Sequence, residues 1–306
     1  MNGYIMKKGR SVLADLADGA GLLTGDAGAG NIFYVDGGST GPTGPGASGR
    51  TVDNPFQTIK EAMTACVSGH NDFIYVLNYG SNGRGTEDWP ILVNKDMVHI
   101  IGARSMATSK WPTIKPDESD NAFTVTGQRC EFANLEIGGY STGSGIEIGN
   151  AVWCTTIHDC FFGVTGDTAG THGVYVAAGA DAPHTVTYDC QFGVHLTGDG
   201  VRIAGNATRA WIGLPGHGNI FKGIAGIAIN ISGSAGLQGI FDNYFGLLAD
   251  TAGDAITLAA GTSGIMVFGN RVGYGKTTAA TEYFVDASTT NSWGQNWVGD
   301  AVALPA

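Results

Sequence analysis

The chain has 306 residues and a formal net charge of −11; 50 residues are glycine and only 14% are charged. The share of glycine is about twice its usual value, and the share of charged residues is little more than half of its usual value. A fold built on long solvated helices is therefore excluded. The acidic balance argues against binding of nucleic acid or of an anionic membrane, which needs clustered lysine and arginine. No apolar run approaches the roughly 18 residues of a transmembrane helix.

The cysteines and the N-terminal residues bear on the compartment. Five cysteines, an odd number, favour reduced thiols over a disulfide framework. The basic patch "MKKGR" is followed by "SVLADLADGAGLL", where Asp15 and Asp18 interrupt the apolar stretch that a secretory signal requires. We therefore expect a protein made and folded in a cytosol, without a signal peptide.

Residues 1–30 are glycine-rich and contain one predicted short helix, from Ser11 to about Ala17. This segment has too few apolar side chains to bury a core alone, so we expect an N-terminal arm that becomes ordered on a partner subunit. Its predicted docking residues are a set of apolar anchors and a basic cluster: Val12, Leu13, Leu16, Leu22 and Leu23, with Lys7, Lys8 and Arg10.

Residues 31–66 predict an entry strand followed by a short helix. The segment reads "NIFYVD", a Gly-rich loop, and then "NPFQTIKEAM". Asn54 suits the N-cap and Pro55 the first helical position, so we predict a helix over about 55–66. Its apolar face would cover the open end of a β-structure that follows.

Two strand patterns recur along the rest of the chain. One is a small residue followed by apolar–x–apolar, and its first apolar positions are separated by 23, 28, 27, 26, 29 and 27 residues. The other is a small polar residue, a variable residue, an apolar residue and glycine, as in "NYFG" at 243–246. Both are too short for helices. The first apolar positions are Phe123, Ile146, Val174, Val201, Ile227, Ile256 and Tyr283.

A repeat of this length, made only of strands and turns, predicts a parallel β-helix in which each repeat is one coil. We predict an all-β fold, a right-handed single-stranded parallel β-helix forming one domain over 31–306, with coils over about 73–300. The small polar position should form a buried ladder, because stacked amides hydrogen-bond one another. Its predicted members are Cys160, Cys190, Asn219, Asn243, Asn270 and Asn296.

The entry segment, with "YVD", a Gly-rich loop and "NPFQTIKEA", resembles that of the pectate-lyase-like right-handed β-helix superfamily. The resemblance covers roughly residues 31–300 and implies the fold. It does not imply one function, because the superfamily includes lyases, hydrolases, viral spikes and adhesins. Its lyases use acidic Ca²⁺ ligands with a basic residue, and its hydrolases use paired or tripled aspartates.

The outward positions of the apolar–x–apolar strands are where such chemistry would lie. Glu147, Tyr175 and Arg202 fall on successive predicted coils and could form a small sugar-binding patch. The candidates for a catalytic alternative are His172, Asp199 and Asp254. Their turn-like surroundings favour ordinary solvated aspartates, so we predict no catalytic residue. The scattered histidines lack the spacing of a metal site, and no cofactor is expected.

A β-helix with a loose N-terminal arm and no secretory signal resembles virion proteins of tailed bacteriophages. We therefore predict a structural virion protein, either capsid-decorating or part of a tail appendage, which docks on other virion proteins through its arm. It could form a homo-oligomer such as a trimer and contact a surface polysaccharide. The alternative is a polysaccharide lyase or glycoside hydrolase, including a depolymerising tailspike; a bacterial adhesin is a third reading.

Overall fold

The computed structural model describes residues 30–37, 48–78, 87–103, 111–116, 120–138, 142–163, 170–193, 195–233, 236, 238–246, 254–273, 283–299 and 301–303. Within these ranges the chain is nearly all β, with parallel coils stacked into a solenoid and one short helix, α1 (Ile59–Ala65). The predicted fold class, an all-β parallel β-helix, is confirmed. None of these residues belongs to a helix long and apolar enough to span a membrane.

The strands are short and follow one another at regular intervals. In chain order they are β1 (Ile32–Asp36), β2 (Asp72–Asn78), β3 (Ile91–Val93), β4 (Val98–Gly102), β5 (Thr113–Ile114), β6 (Phe123–Val125), β7 (Glu131–Ala133), β8 (Glu136–Ile137), β9 (Ser144–Ile148), β10 (Thr156–His158), β11 (Phe161–Phe162), β12 (His172–Val176), β13 (Val186–Tyr188), β14 (Gln191–Phe192), β15 (Val201–Ile203), β16 (Trp211–Ile212), β17 (Ile220–Lys222), β18 (Ile229–Ile231), β19 (Gly239–Phe241), β20 (Tyr244–Gly246), β21 (Ile256–Leu258), β22 (Met266–Phe268), β23 (Arg271–Val272), β24 (Phe284–Asp286), β25 (Ser292–Gly294), β26 (Asn296–Val298) and β27 (Ala301–Ala303).

Three sheets run along the solenoid, and each full coil adds one strand to sheet C, then to sheet A, then to sheet B. Sheet A has the order β1-β2-β4-β7-β10-β13-β16-β19-β22-β25. Sheet B has the order β5-β8-β11-β14-β17-β20-β23-β26-β27, and sheet C the order β3-β6-β9-β12-β15-β18-β21-β24. The strand pairs are parallel except at the C-terminal end, where β27 pairs antiparallel with β26.

The interior of the solenoid is filled by stacked apolar side chains. In sheet B, buried phenylalanine rings stack on successive coils, with centroids 4.9 Å apart for Phe162 and Phe192 and 4.7 Å apart for Phe192 and Phe221. A Cβ on Gly173 would lie 2.6 Å from the Phe192 ring. The small residue before the apolar–x–apolar strand therefore leaves room for the phenylalanine that faces it.

The turn from sheet A to sheet B holds the asparagines of the predicted ladder in one buried column. Asn219 Nδ2 donates to Asn243 Oδ1 at 3.0 Å, Asn243 Nδ2 to Asn270 Oδ1 at 2.9 Å, and Asn270 Nδ2 to Asn296 Oδ1 at 3.0 Å. Each accepting Oδ1 also receives the backbone N–H of the asparagine before it. The amides thus satisfy both side-chain and backbone donors in the interior.

Two cysteines lie at the N-terminal end of this column. The backbone N–H of Cys190 donates to Asn219 Oδ1 at 3.0 Å, and the Cys160 thiol lies 3.7 Å from the Phe132 carbonyl oxygen. Burial, with Cys160 beside it, raises the pKa of the Cys190 thiol well above its usual range. This thiol is protonated and unreactive at neutral pH.

The register of two sheet C strands differs from the sequence prediction. Val201 pairs with Ile229 rather than Ile227, and Ile256 pairs with Phe284 rather than Tyr283. In the first case Ile227–Ala228–Ile229 and Ile229–Asn230–Ile231 both fit apolar–x–apolar, and the structure uses the second. From Ile146 onward the repeat intervals become 28, 27, 28, 27 and 28 residues.

The cap helix begins at Ile59, four residues later than predicted. Asn54 is not its N-cap and Pro55 is not its first residue, because Phe56 is held in an extended bridge to Val35. Thr58 caps the helix instead, accepting from the Glu61 N–H in a capping box.

Candidate functional site

The outer face of sheet C carries a row of polar side chains that we call the polar strip: Glu147, Tyr175, Arg202, Asn230 and Thr257. Tyr175 pairs with Glu147 on one side and with Arg202 on the other, and Arg202 pairs with Asn230. Such neighbours on parallel strands stand about 4.8 Å apart. All five side chains are partly exposed. The structure thus brings together Glu147, Tyr175 and Arg202, and adds Asn230 where the predicted register had Ala228.

Hydrogen bonds orient the first half of the polar strip. Asn121 Nδ2 donates to Glu147 Oε2 at 2.8 Å, while Asn121 Oδ1 accepts the Ser144 N–H at 2.6 Å. The Tyr175 ring lies 5.2 Å from the His172 ring, centroid to centroid. These contacts limit the rotamers of the Glu147 and Tyr175 side chains.

Asp199 lies beneath the second half of the polar strip and is only 5% exposed. Its carboxylate accepts the Ile227 N–H and the Asn230 Nδ2 amide, each at 3.0 Å. Arg202 Nη1 lies 3.7 Å from Asp199 Oδ2. Arg202 Nε is buried and has no hydrogen-bond partner among the described residues. The Arg202 side chain as a whole is 38% exposed.

His172 and Asp199 are adjacent, as the sequence suggested, but through the backbone. The Asp199 N–H donates to His172 Nδ1 at 3.0 Å, whereas Asp199 Oδ2 lies 3.8 Å from that nitrogen. Because Nδ1 accepts a hydrogen bond, the neutral ring carries its proton on Nε2. Burial lowers the pKa of His172, although the charge of Asp199 opposes this.

Asp254, the third catalytic candidate, is not brought into contact with the other two. Asp254 Oδ2 accepts from the Thr257 hydroxyl at 2.8 Å, and the coil that contains β18 lies between Asp254 and Asp199. Asp199 and Asp254 therefore bind different neighbours and do not form a carboxylate pair.

Sheet A carries a charged network that the sequence analysis missed. Glu131 Oε2 lies 2.5 Å from His99 Nδ1, and Glu131 Oε1 lies 2.9 Å from His158 Nε2. His158 Nδ1 lies 2.8 Å from Asp159 Oδ2. The hydrogen bonds from His158 and His99 lower the pKa of Glu131 to about 2. Tabulating the outward positions of sheet A, as was done for sheet C, would have placed His99 beside Glu131.

The same network fixes the charge of one histidine. Burial alone would lower the pKa of His158, but hydrogen bonds to Glu131 and Asp159 raise it to about 9. A general acid or base works best with a pKa near the working pH. A carboxylate with a pKa of about 2 and an imidazolium with a pKa of about 9 therefore suit an ion-pair network better than proton transfer.

A concave site, the corner pocket, lies on the turns from sheet C to sheet A and was also missed. Its volume is about 540 Å³. Aromatic, charged and amide side chains of successive coils line it, chiefly Trp153, Asp181, His184, Asn206, Thr208 and Arg209. In the sequence these residues fall in Gly- and Ala-rich turns without a repeating pattern, so only the stacking of coils brings them together.

The predicted docking residues of the arm lie outside the described residues; they are Lys7, Lys8, Arg10, Val12, Leu13, Leu16, Leu22 and Leu23. Gly30, counted with the arm in the sequence analysis, belongs to the folded body, because its N–H donates to the Asn71 carbonyl. Among the described residues no group of three or more His, Cys, Asp and Glu side chains could hold a metal ion.

Comparison with known proteins adds little. No protein-family model matches the sequence, and no curated protein matches it. Two solved structures are similar. A rhamnogalacturonan lyase is 14% identical with a TM-score of 0.39, and the match covers 81% of this chain and 69% of the lyase chain. The GH136 lacto-N-biosidase from Eubacterium ramulus is 11% identical with a TM-score of 0.45, and the match covers 88% of this chain and 68% of the biosidase chain. Both neighbours are carbohydrate-active enzymes, but similarity this distant carries no information about what this chain binds.

Proposed function

We propose that this chain is a saccharide-binding β-helix and that the polar strip of sheet C is its binding surface. The observation that carries the proposal is the row Glu147, Tyr175 and Arg202 on three adjacent strands. A carboxylate, an aromatic ring and a guanidinium side by side supply an acceptor, an apolar face and a fork of donors. Sugar rings present hydroxyls and apolar C–H faces, so they match this set.

The shape of the surface supports an extended ligand. The strip continues through Asn230 and Thr257, and coils repeat about every 4.8 Å. Solenoids present such rows as long binding surfaces. We therefore expect an oligosaccharide or polysaccharide to bind better than a single sugar.

Binding without cleavage is the better match to the local chemistry. The Asp199 carboxylate is buried and already accepts two hydrogen bonds, and Asp254 accepts one from Thr257. A pair of free carboxylates facing a glycosidic bond, as glycoside hydrolysis requires, is not formed by these candidates. The lyase or hydrolase alternative is tested by release of reducing ends or unsaturated sugars.

A glycan array followed by calorimetry tests the proposal. Wild type should bind at least one polysaccharide, and Tyr175→Ala should weaken that binding about tenfold or more, because an aromatic platform is lost. Tyr244→Ala is the matched control, since Tyr244 is an exposed tyrosine on sheet B. Binding that survives Tyr175→Ala but not Tyr244→Ala would move the site to sheet B, and cleavage of the bound glycan would favour the enzyme alternative.

The virion role, the trimer and the phage location stay predictions. They depend on the N-terminal arm, which lies outside the described residues. A saccharide-binding surface is compatible with a tail appendage that contacts a host polysaccharide, so the proposed function and the predicted location can be tested separately.

A further inference from the structure

The corner pocket is a second concave surface, built from turns rather than strands. Arg129, Cys154, His184 and Arg209 stand at equivalent positions of four successive coils, and each has a positive φ between 56° and 60°. Backbone hydrogen bonds join them: the Arg129 N–H to the Trp153 carbonyl, the Cys154 N–H to the Pro183 carbonyl and the His184 N–H to the Thr208 carbonyl. The pocket therefore has a repeating, rigid backbone.

The two ends of the pocket differ in chemistry. Near sheet C, Asp181 and Asn206 form a parallel bridge, and Asn206 Nδ2 donates to Asp181 Oδ1 at 3.2 Å. His184 and Arg209 lie near sheet A. His184 is two positions before β13, and Arg209 is two positions before β16. A carboxamide–carboxylate pair thus stands at one end and two nitrogen-bearing side chains at the other.

Arg209 and His184 have free polar groups. Among the residues that the structure describes, neither side chain forms an ion pair or a hydrogen bond. His158 and Arg202, by contrast, each face a carboxylate. On a chain with a net charge of −11, an unpaired guanidinium in a pocket is an attractive site for a carboxylate.

Trp153 supplies the apolar wall. Its side chain is 52% exposed, although tryptophan normally buries most of its surface. The pocket volume of about 540 Å³ lies within the range of small-molecule sites. A ring that stacks on Trp153 would have Arg209 and His184 within the same pocket.

We infer that the corner pocket is a ligand site separate from the polar strip and that it takes a small sugar acid. The sugar ring lies on Trp153, its carboxylate pairs with Arg209, and its hydroxyls hydrogen-bond to Asp181 and Asn206. The inference does not rest on the proposed function, because no residue of the polar strip lines this pocket.

Calorimetry on the full chain with glucuronate and glucose tests the inference. Glucuronate should bind at least about tenfold more tightly than glucose, because a hydrogen bond to a charged group is worth more than one to a neutral group. Arg209→Gln should remove that preference and leave the weak affinity for glucose unchanged. Glutamine suits the positive φ of this position no worse than arginine, so the fold is expected to persist. Trp153→Ala should weaken both sugars.

Matched controls separate this site from the others. Lys222→Gln removes an exposed cation from sheet B and should leave glucuronate binding unchanged. Tyr175→Ala, in the polar strip, should also leave it unchanged. Glucuronate that fails to bind, that binds no better than glucose, or that keeps its affinity in Arg209→Gln overturns the inference. Loss of binding in Tyr175→Ala alone would place the ligand on the polar strip and overturn it as well.

Discussion

At Glu131, two histidines from neighbouring coils bind one half-buried carboxylate. The His99 and His158 nitrogens lie 2.5 and 2.9 Å from its two oxygens. The pKa of Glu131 falls to about 2 and that of His158 rises to about 9. Glu131 and His158 therefore carry fixed opposite charges over the whole neutral range, and their ion pair contributes to the stability of the outer face of sheet A.

This network should make stability depend on pH in a defined window. Stabilisation through Glu131 is complete above the ordinary pKa of 4.5 and is lost as the pH falls toward about 2. Stabilisation through His158 is complete below the ordinary pKa of 6.5 and is lost as the pH rises through about 9. The free energy of unfolding that Glu131→Gln removes should thus be largest between pH 4.5 and 6.5.

Urea unfolding at several pH values measures this difference. The difference between wild type and Glu131→Gln should shrink as the pH rises through about 9. Asp53→Asn, at an exposed carboxylate, should track wild type throughout. A difference that stays constant from pH 5 to pH 10 would show that His158 does not act through its charge.

At the scale of the elements, the asparagine column joins sheet A to sheet B on four successive coils. Asn243 lies in its middle and is 1% exposed. Its Oδ1 accepts two donors of Asn219, the backbone N–H at 2.9 Å and Nδ2 at 3.0 Å. Its own Nδ2 donates to the Ile212 carbonyl and to Asn270 Oδ1.

Replacing Asn243 by leucine should destabilise the fold strongly. Two buried donors of Asn219 would lose their acceptor, and each unsatisfied donor costs about 1–3 kcal/mol. We expect Asn243→Leu to lower the free energy of unfolding by at least about 2 kcal/mol in denaturant titrations. Asn94→Leu, at an exposed position, should change it by no more than about 0.5 kcal/mol. Equal stabilities of the two variants would contradict a buried column.

The repeat allowed the sequence to predict the fold class because identical positions in successive coils share one environment. The intervals between apolar–x–apolar strands and the recurring small polar residue depend on this stacking. The sequence could not choose between the overlapping patterns at Ile227 and Ile229, since both place isoleucines inward. Only the contacts of Asp199 with the Ile227 N–H and with Asn230 distinguish them.

Candidate sites were predicted less completely than the fold. The polar strip could be read from one outward column, because its residues occupy one position of the repeat. The Glu131 network could have been read from the outward positions of sheet A in the same way. The corner pocket could not, because turns of variable length set which residues meet. Trp153 and Arg209, for example, are 56 positions apart in the chain and line one pocket.

At the scale of the whole molecule, the β-helix has its own N-terminal cover. Helix α1 packs Ile59, Ala62 and Met63 into the core, and the Glu87 carboxylate accepts the Ile59 N–H at 2.8 Å. The first strand, β1, is paired with β2. The open end of the solenoid is thus covered by residues after the arm.

Deletion of residues 1–29 should therefore leave a folded protein. We expect β-rich circular dichroism and a cooperative thermal transition close to that of the full chain. If the predicted virion role holds, the truncated chain should fail to enter particles, because the apolar anchors and basic cluster of the arm are gone. Normal incorporation would mean that docking uses the β-helix itself, and loss of the cooperative transition would mean that the arm is part of the core.

The most direct test of the account is a crystal structure of the chain with the best-bound oligosaccharide from the array. We predict sugar residues across Glu147, Tyr175 and Arg202, with ligand oxygens accepting from the partly exposed guanidinium of Arg202. Oligosaccharide density confined to sheet B or to the outer face of sheet A, with the polar strip empty, would contradict the central claim that this strip is the saccharide-binding surface.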